Sequence, residues 1–197
     1  MDEAELKYAR GYIAESAEAI EAAAADSDFV VALGAIADAM TKALRAGGKI
    51  LLCGNGGSAA DAQHIAGELI SRFESERAPL AAVALTTDTS VLTAVGNDYG
   101  YEQVFERQVN GLGNKGDVLI ALSTSGKSKN VLRALDAARA RGLFTIGLTG
   151  RMGGEMHGRC DALLQAHSSR TPVIQQLHLM AAHIVCGIVE KRLATNA

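Results

Sequence analysis

Five short apolar runs, Lys49–Cys53, Ala81–Leu85, Val118–Leu122, Thr145–Leu148 and Ala162–Gln165, alternate with stretches of helical periodicity, and this alternation leaves few folds open. Short runs without polar alternation suit strands buried on both faces, and such strands belong to parallel sheets covered by helices. Right-handed crossovers then predict an α/β fold, a three-layer doubly wound sandwich around a parallel sheet of about five strands. Two helices should precede the sheet, from about Glu3 to Ala25 and from about Asp28 to Ala46, parted by Asp26-Ser27 as an N-cap pair. The first is rich in alanine, which permits close helix approach but buries little area by itself, so it is expected in a subunit interface. Pro172 should open a last long helix to about Leu193, because proline is tolerated in the first helical turn. The 197 residues are expected to form one domain, 1–197, without an internal repeat, linker or low-complexity segment.

The charge balance narrows the partners. Acidic and basic residues are interspersed, with a formal net charge of −3, so no basic face is available to neutralise nucleic-acid phosphates or anionic lipid. No nucleic acid and no membrane is therefore expected as a partner, and any phosphate handled should be a single group on a small molecule. The N-terminal MDEAELKYAR is acidic and polar where a signal peptide would be basic and then apolar, and no run of eighteen apolar residues occurs. Cys53, Cys160 and Cys186 are odd in number, far apart and without a CxxC pair, which reads as three reduced thiols. The expected location is cytoplasmic.

In a doubly wound sheet, ligands bind beyond the carboxyl ends of the strands, which points to the loops after Cys53, Leu85 and Leu122. The first, Gly54-Asn55-Gly56-Gly57-Ser58, leaves backbone N–H groups uncovered at a helix N-terminus, where the dipole favours an anion. The helix that follows carries His64 and Glu68 at i and i+4, on one face. An imidazole and a carboxylate so placed suit an acid/base pair, two ligands of a metal, or an ordinary exposed i,i+4 pair. Their position beside the glycine loop favours the first two. Asp61, three residues before His64, would orient the imidazole or contact substrate.

After Leu122 comes Ser123-Thr124-Ser125-Gly126-Lys127-Ser128 and a helical stretch beginning near Asn130, together a compact phosphate cradle. It lacks the GxxxxGK[ST] spacing of a Walker loop, which disfavours nucleotide hydrolysis. Capping and turn formation alone would also account for these serines. Their place after a buried strand, in a chain with a second glycine loop, points to phosphate. After Leu85, Thr86-Thr87-Asp88-Thr89-Ser90 and Gly96-Asn97-Asp98-Tyr99-Gly100 offer partners for a polyhydroxylated ligand, with turn formation an equal account of both. The last helix bears Gln175, Gln176, His178 and His183. On an ideal helix Gln176 nearly coincides in direction with His183, whereas Gln175 differs by about 80°. A histidine on so apolar a helix is more often a hydrogen-bonded core residue than a catalyst. His183 gains weight only if the helix crosses the mouth of the His64 site.

The segments GNGGSAADAQHIAGE, ALTTDTSVLTAVGNDYGYE, STSGKS and IQQLHLMAAHI resemble those of the sugar isomerase (SIS) family, and within it the phosphoheptose isomerases. The likeness runs from Lys49 through His183, and the two leading helices suit it. It implies the SIS fold and an aldose–ketose isomerase that converts D-sedoheptulose 7-phosphate to D-glycero-D-manno-heptose 7-phosphate through an enediol. That reaction is the entry to nucleotide-activated heptose for bacterial surface polysaccharide. The resemblance also implies a homotetramer with active sites at subunit interfaces. Carried over by motif, it assigns Ser123, Thr124, Ser125 and Ser128 to the phosphate, and Asn55, Gly56, Gly57, Ser58, Asp61, Glu68, Asn97, Asp98 and Gln175 to substrate contacts. Glu68 and His183 would be the acid/base residues, and His64, Glu68, Gln175 and His183 would surround one zinc ion (Zn2+) per subunit. Pro172 departs from the pattern, where many relatives carry an aspartate, and Gln176 replaces a commonly acidic residue.

Two rival readings use the same fold. One is a non-catalytic SIS module resembling the proteins that bind the replication initiator DnaA. Those relatives lose the catalytic side chains, whereas Glu68, His183 and STSGKS are all present here. The other is an isomerase of a different phosphosugar, against which GNDYGYE and IQQLH favour the heptose branch.

Overall fold

The computed structural model describes residues 1–194; residues 195–197, the end of the expected domain, lie outside them. Helices α1 (Glu3–Ala25) and α2 (Ser27–Arg45) come first. Asp26 separates them, ending α1 and capping α2 through its carboxylate, which accepts from Asp28 N–H at 2.9 Å. The chain then alternates: β1 (Ile50–Gly54), α3 (Gly57–Ile70), β2 (Ala82–Ala84), α4 (Thr89–Tyr99), α5 (Val104–Leu112) and β3 (Val118–Ser123). It continues through α6 (Lys129–Ala140), β4 (Phe144–Thr149), β5 (Ala162–Gln165) and α7 (Thr171–Ala194). The five strands form one parallel sheet in the order β2-β1-β3-β4-β5.

Strand residues alternate between two cores, as the two-residue period of a strand requires. Ile50 and Leu52 join α1, α2, α3 and α7 on one face, while Leu51 and Cys53 join α4, α5 and α6 on the other. The strand ends differ from the apolar runs by a residue or two. β3 and β4 extend to polar Ser123 and Thr149 because these two pair in register within the ladder. Lys49 falls outside β1: its backbone N–H and its ammonium both bond the buried Asp117 carboxylate, at 2.9 and 2.6 Å.

Helix α1 buries only Ala19 and Ala23 and leaves Leu6, Tyr8, Ile13 and Ile20 exposed. Helix α7 has the length and mean hydropathy of a membrane span, yet 56% of that window is buried inside the protein. Its apolar surface is therefore largely consumed by the core, where Val173, Ile174, Leu177, Ala181, Val185 and Val189 pack.

His178 lies wholly inside this core, with Nε2 3.1 Å from the Thr149 carbonyl. Burial pushes its pKa down to about 4, against a smaller opposing effect of that bond, so the ring is neutral at pH 7. Above pH 6.5 neither folded nor unfolded chain protonates it. Between pH 6.5 and 4 only the unfolded chain takes up the proton, and the folded state should lose up to about 3 kcal/mol from this group. Denaturant unfolding across that range should show the loss, and His178→Gln should show a shallower decline; equal slopes would deny His178 this role.

Candidate active site

The order of the strands reverses direction between β1 and β3, the position where doubly wound sheets open a crevice at their carboxyl ends. The loops leaving these two strands are joined across that point. Asn55 and Asn130 exchange amide hydrogen bonds, each donating from Nδ2 to the other's Oδ1 at 2.9 Å. Tyr101 donates its hydroxyl to the same Asn55 oxygen at 3.2 Å. Asn130, 4% exposed, thus ties the glycine turn to the first turn of α6.

Gly56 occupies the N-cap position of α3 and no side chain caps that end. Gly57 is tightly approached: a methyl group there would collide with the Gln175 side-chain amide from α7. Ser58 is buried. In the second loop, Ser123 Oγ lies 3.0 Å from Ser128 Oγ, and Ser125 Oγ accepts from Lys127 N–H at 3.2 Å. Ser128 stands at the N-cap of α6, yet its side chain makes no capping bond. Helix capping therefore does not explain that hydroxyl. An adjoining cleft carries Lys127 and Arg151 beside Thr124 and Ser125, so two cations flank the loop.

The third cluster joins α3 to α7. His64 Nε2 lies 3.0 Å from His183 Nε2 and 3.2 Å from Glu68 Oε1. The two rings meet edge to face at 5.2 Å, and Phe73 stacks on the other side of His183 at 5.5 Å. The side chain of His64 is 46% exposed and that of Glu68 22%. The ligand atoms of all three lie within 4.8 Å of one another. A tetrahedral zinc ion with bonds of about 2.0–2.1 Å spaces its ligands roughly 3.3–3.4 Å apart, so two imidazoles and a carboxylate at these separations fit such an ion.

The remaining expected residues are placed less centrally. Gln175 turns to Gly57, about two turns from His64 along α3 and from His183 along α7, and so stands apart from the three-residue cluster. Gln176, which the helical wheel aligned with His183, instead donates to the Tyr12 hydroxyl on α1 at 3.1 Å. The wheel fixes direction but not which neighbour covers each turn. Asp61 Oδ2 is buried without a hydrogen-bond partner among the described residues; burial raises its carboxyl pKa, opposed by the nearby His64. Asn97 and Asp98 bond each other at 2.8 Å at the exposed end of α4. Asp88 caps that helix through Val91 N–H at 3.0 Å, so its turn-forming account holds. Asn130, Tyr101 and Phe73 were not foreseen as site residues. Tyr101 lies in the GYE segment and Asn130 in the first turn after the serine loop, but only contact across 46 and 75 residues reveals their pairing.

A five-stranded parallel sheet with a serine loop at its switch point and a His/Glu/His cluster between α3 and α7 accords with a sugar isomerase domain, and the SIS domain family model matches residues 11–150. Among curated relatives, phosphoheptose isomerase of Burkholderia pseudomallei (strain 1710b) is 56% identical over 190 residues, 96% of each chain. The phosphoheptose isomerase of Bradyrhizobium sp. (strain ORS 278) is 55% identical over 186 residues, 94% of each. Among solved structures, phosphoheptose isomerase GmhA from Neisseria gonorrhoeae shares 44% identity with a TM-score of 0.89, covering 94% of this chain and 98% of that one. A phosphoheptose isomerase from Francisella tularensis shares 39% identity with a TM-score of 0.90, covering 95% and 98%. The chain belongs to the phosphoheptose isomerase family.

Proposed function

We propose that the chain converts D-sedoheptulose 7-phosphate to D-glycero-D-manno-heptose 7-phosphate through an enediol, as the first step of nucleotide-activated heptose synthesis for surface polysaccharide. It is an isomerase by family, and the replication-initiator-binding reading is not favoured. The observation that carries the mechanism is the convergence of Glu68 and His183 from two helices, in a chain whose α6 N-terminus carries a serine that makes no capping bond.

Moving a carbonyl between C2 and C1 removes a proton from one carbon and returns it to the other. Glu68 is assigned that proton. Its Oε1 faces His64, which leaves the second carboxylate oxygen for transfer. His64, Glu68 and His183 are the residues that would hold zinc, which when bound would polarise the carbonyl and stabilise negative charge on the enediolate. A histidine that gives Nε2 to a metal cannot use that nitrogen as a base. The carbon proton therefore falls to the carboxylate, and His183 is assigned the substrate oxygens in the form that leaves its Nε2 free of the metal. Ser123, Thr124, Ser125 and Ser128 take the 7-phosphate, aided by the α6 N-terminus. Asn55, Gly56, Gly57, Ser58, Asp61, Asn97, Asp98 and Gln175 are assigned to the sugar.

The working form is proposed to be a cytoplasmic homotetramer with one zinc ion per subunit and active sites at subunit interfaces. Exposure of His64 in a single protomer and the uncovered apolar residues of α1 support closure by a second copy. The three free cysteines accord with a reducing compartment, and burial pushes Cys53 up to about 12, out of reach of thiolate chemistry.

Proton NMR with sedoheptulose 7-phosphate in deuterium oxide tests the reading directly. An aldoheptose 7-phosphate anomeric signal, with deuterium entering at carbon, is the expected result; no reaction from the folded, zinc-supplied protein would sink it. Removing the metal with a chelator should lower the rate and adding zinc should restore it. An unchanged rate in demonstrably metal-free protein would make zinc a passenger. Ser128→Ala should raise KM about 10–100-fold with kcat little changed, since a hydrogen bond to a charged group contributes about 1.5–3 kcal/mol. An unaltered KM would exclude Ser128 from the phosphate site.

A further inference from the structure

Behind the His64–Glu68–His183 cluster lies a second group of charges that takes no part in the chemistry above. Arg77 and Glu190 form an ion pair at 3.0 Å, with side chains 6% and 2% exposed. Burying two such charges is costly unless every donor and acceptor is used, and here nearly all are. Glu190 accepts from the backbone N–H groups of Phe73, Glu74 and Ser75 at 2.7–2.9 Å as well as from Arg77 Nε. Burial works against its charge, but these donors outweigh it and hold the carboxyl below the ordinary carboxylate range. Arg77 in turn donates to the carbonyls of Glu68 at 2.7 Å, Leu69 at 2.8 Å and Ala78 at 3.0 Å.

Two of those carbonyls belong to the last turn of α3, where helix geometry leaves carbonyls without an intrahelical partner. One is the backbone oxygen of Glu68 itself. Glu190 stands two turns beyond His183 on α7, and the first N–H that it holds is that of Phe73, whose ring stacks on His183. One buried pair therefore grips the backbone of one proposed acid/base residue and the aromatic support of the other.

We infer that Arg77 and Glu190 are positioning residues for the isomerase site, locking the end of α3 and the Phe73 ring against α7 so that Glu68, His64 and His183 keep their mutual spacing. The inference rests on the roles given above to Glu68 and His183. Arg77→Lys is the informative change, because an ammonium keeps the charge but cannot reach a carboxylate and three carbonyls from one planar group. Phe73→Leu is its companion, removing the ring while leaving the ion pair whole. Zinc affinity measured by competition with a chromophoric chelator, the NMR shifts of the His183 ring protons, and kcat and KM for sedoheptulose 7-phosphate are the readouts, with melting temperature recorded alongside.

Arg77→Lys should weaken zinc binding and lower kcat, each by about 10–100-fold, as loss of a group supporting metal ligands does. The His183 proton signals should move, and KM should stay close to that of the parent, because the serine loop hangs from a different strand. Phe73→Leu should shift the same signals and lower kcat in the same direction. A folded Arg77→Lys protein with parental zinc affinity, kcat and His183 shifts would overturn the inference. If that variant does not fold, a folded Phe73→Leu with parental zinc affinity and kcat would overturn it equally. Should the parent itself fail to isomerise the sugar, the proposed function falls, while zinc affinity and the His183 shifts still decide the positioning role.

Discussion

Glu68→Gln will fold and assemble as the parent does and will lose turnover by about 10²–10⁴-fold, the span that a positioned acid or base contributes to proton transfer. The amide preserves the shape of the side chain and can still meet His64 from the position 3.2 Å away that Oε1 holds. It cannot accept a proton. The loss should therefore appear in kcat, and deuterium incorporation at carbon should fall with it. Circular dichroism and size-exclusion chromatography would separate this from a failure to fold. Normal turnover in the variant would remove Glu68 from the mechanism and leave His183 or a further group to carry the carbon proton.

The second large effect is expected from Gly126→Ala in the serine loop. Gly126 has φ +64°, a left-handed conformation, and a methyl group there would run into the Gly153 carbonyl and the Cα of Gly154. The neighbours in the way are backbone, not the pliable end of a side chain. Left-handed geometry costs about 1–2 kcal/mol for a residue with a Cβ and overpacking about 1–3 more, so the variant should lose roughly 2–5 kcal/mol of stability. Urea unfolding with an unchanged m value is the check. The segment that must yield is also tied to Gly126, since Glu155 N–H donates to the Gly126 carbonyl at 2.9 Å. Relief of the clash should consequently displace Ser125 and raise KM as well. A variant of parental stability would mean that the 150–154 turn can move aside freely.

Most of the fold was legible because it rests on local pattern. The apolar runs marked all five strands, and the glycine and serine loops announced themselves through residues adjacent in sequence. Within the candidate site, His64 and Glu68 were legible as an i,i+4 pair on one helix. His183 was not distinguishable from His178 by composition, since both sit on the same apolar helix; one proved to be a neutral core residue on Thr149 and the other a neighbour of His64. The alignment of Gln176 with His183 on the helical wheel did not bring it to that histidine, because helical direction says nothing about α1 lying across the first turns of α7. Asn130 against Asn55, and Arg77 against Glu190, escaped notice for a related reason. Each is an ordinary polar residue until a partner 75 or 113 residues away arrives.

That last helix has a bearing on how the molecule comes into being. His183 is separated from His64 by 119 residues, and α7 packs on one face of a sheet whose strands are all complete before it is synthesised. During vectorial synthesis the layer formed by α2, α3 and the sheet stays bare of α7 until all five strands have been made. Exposed apolar surface of that kind invites association with other chains. The element that shields the nascent core is thus the same one that brings His183 to His64, so protection from aggregation and assembly of the histidine cluster arrive in a single event.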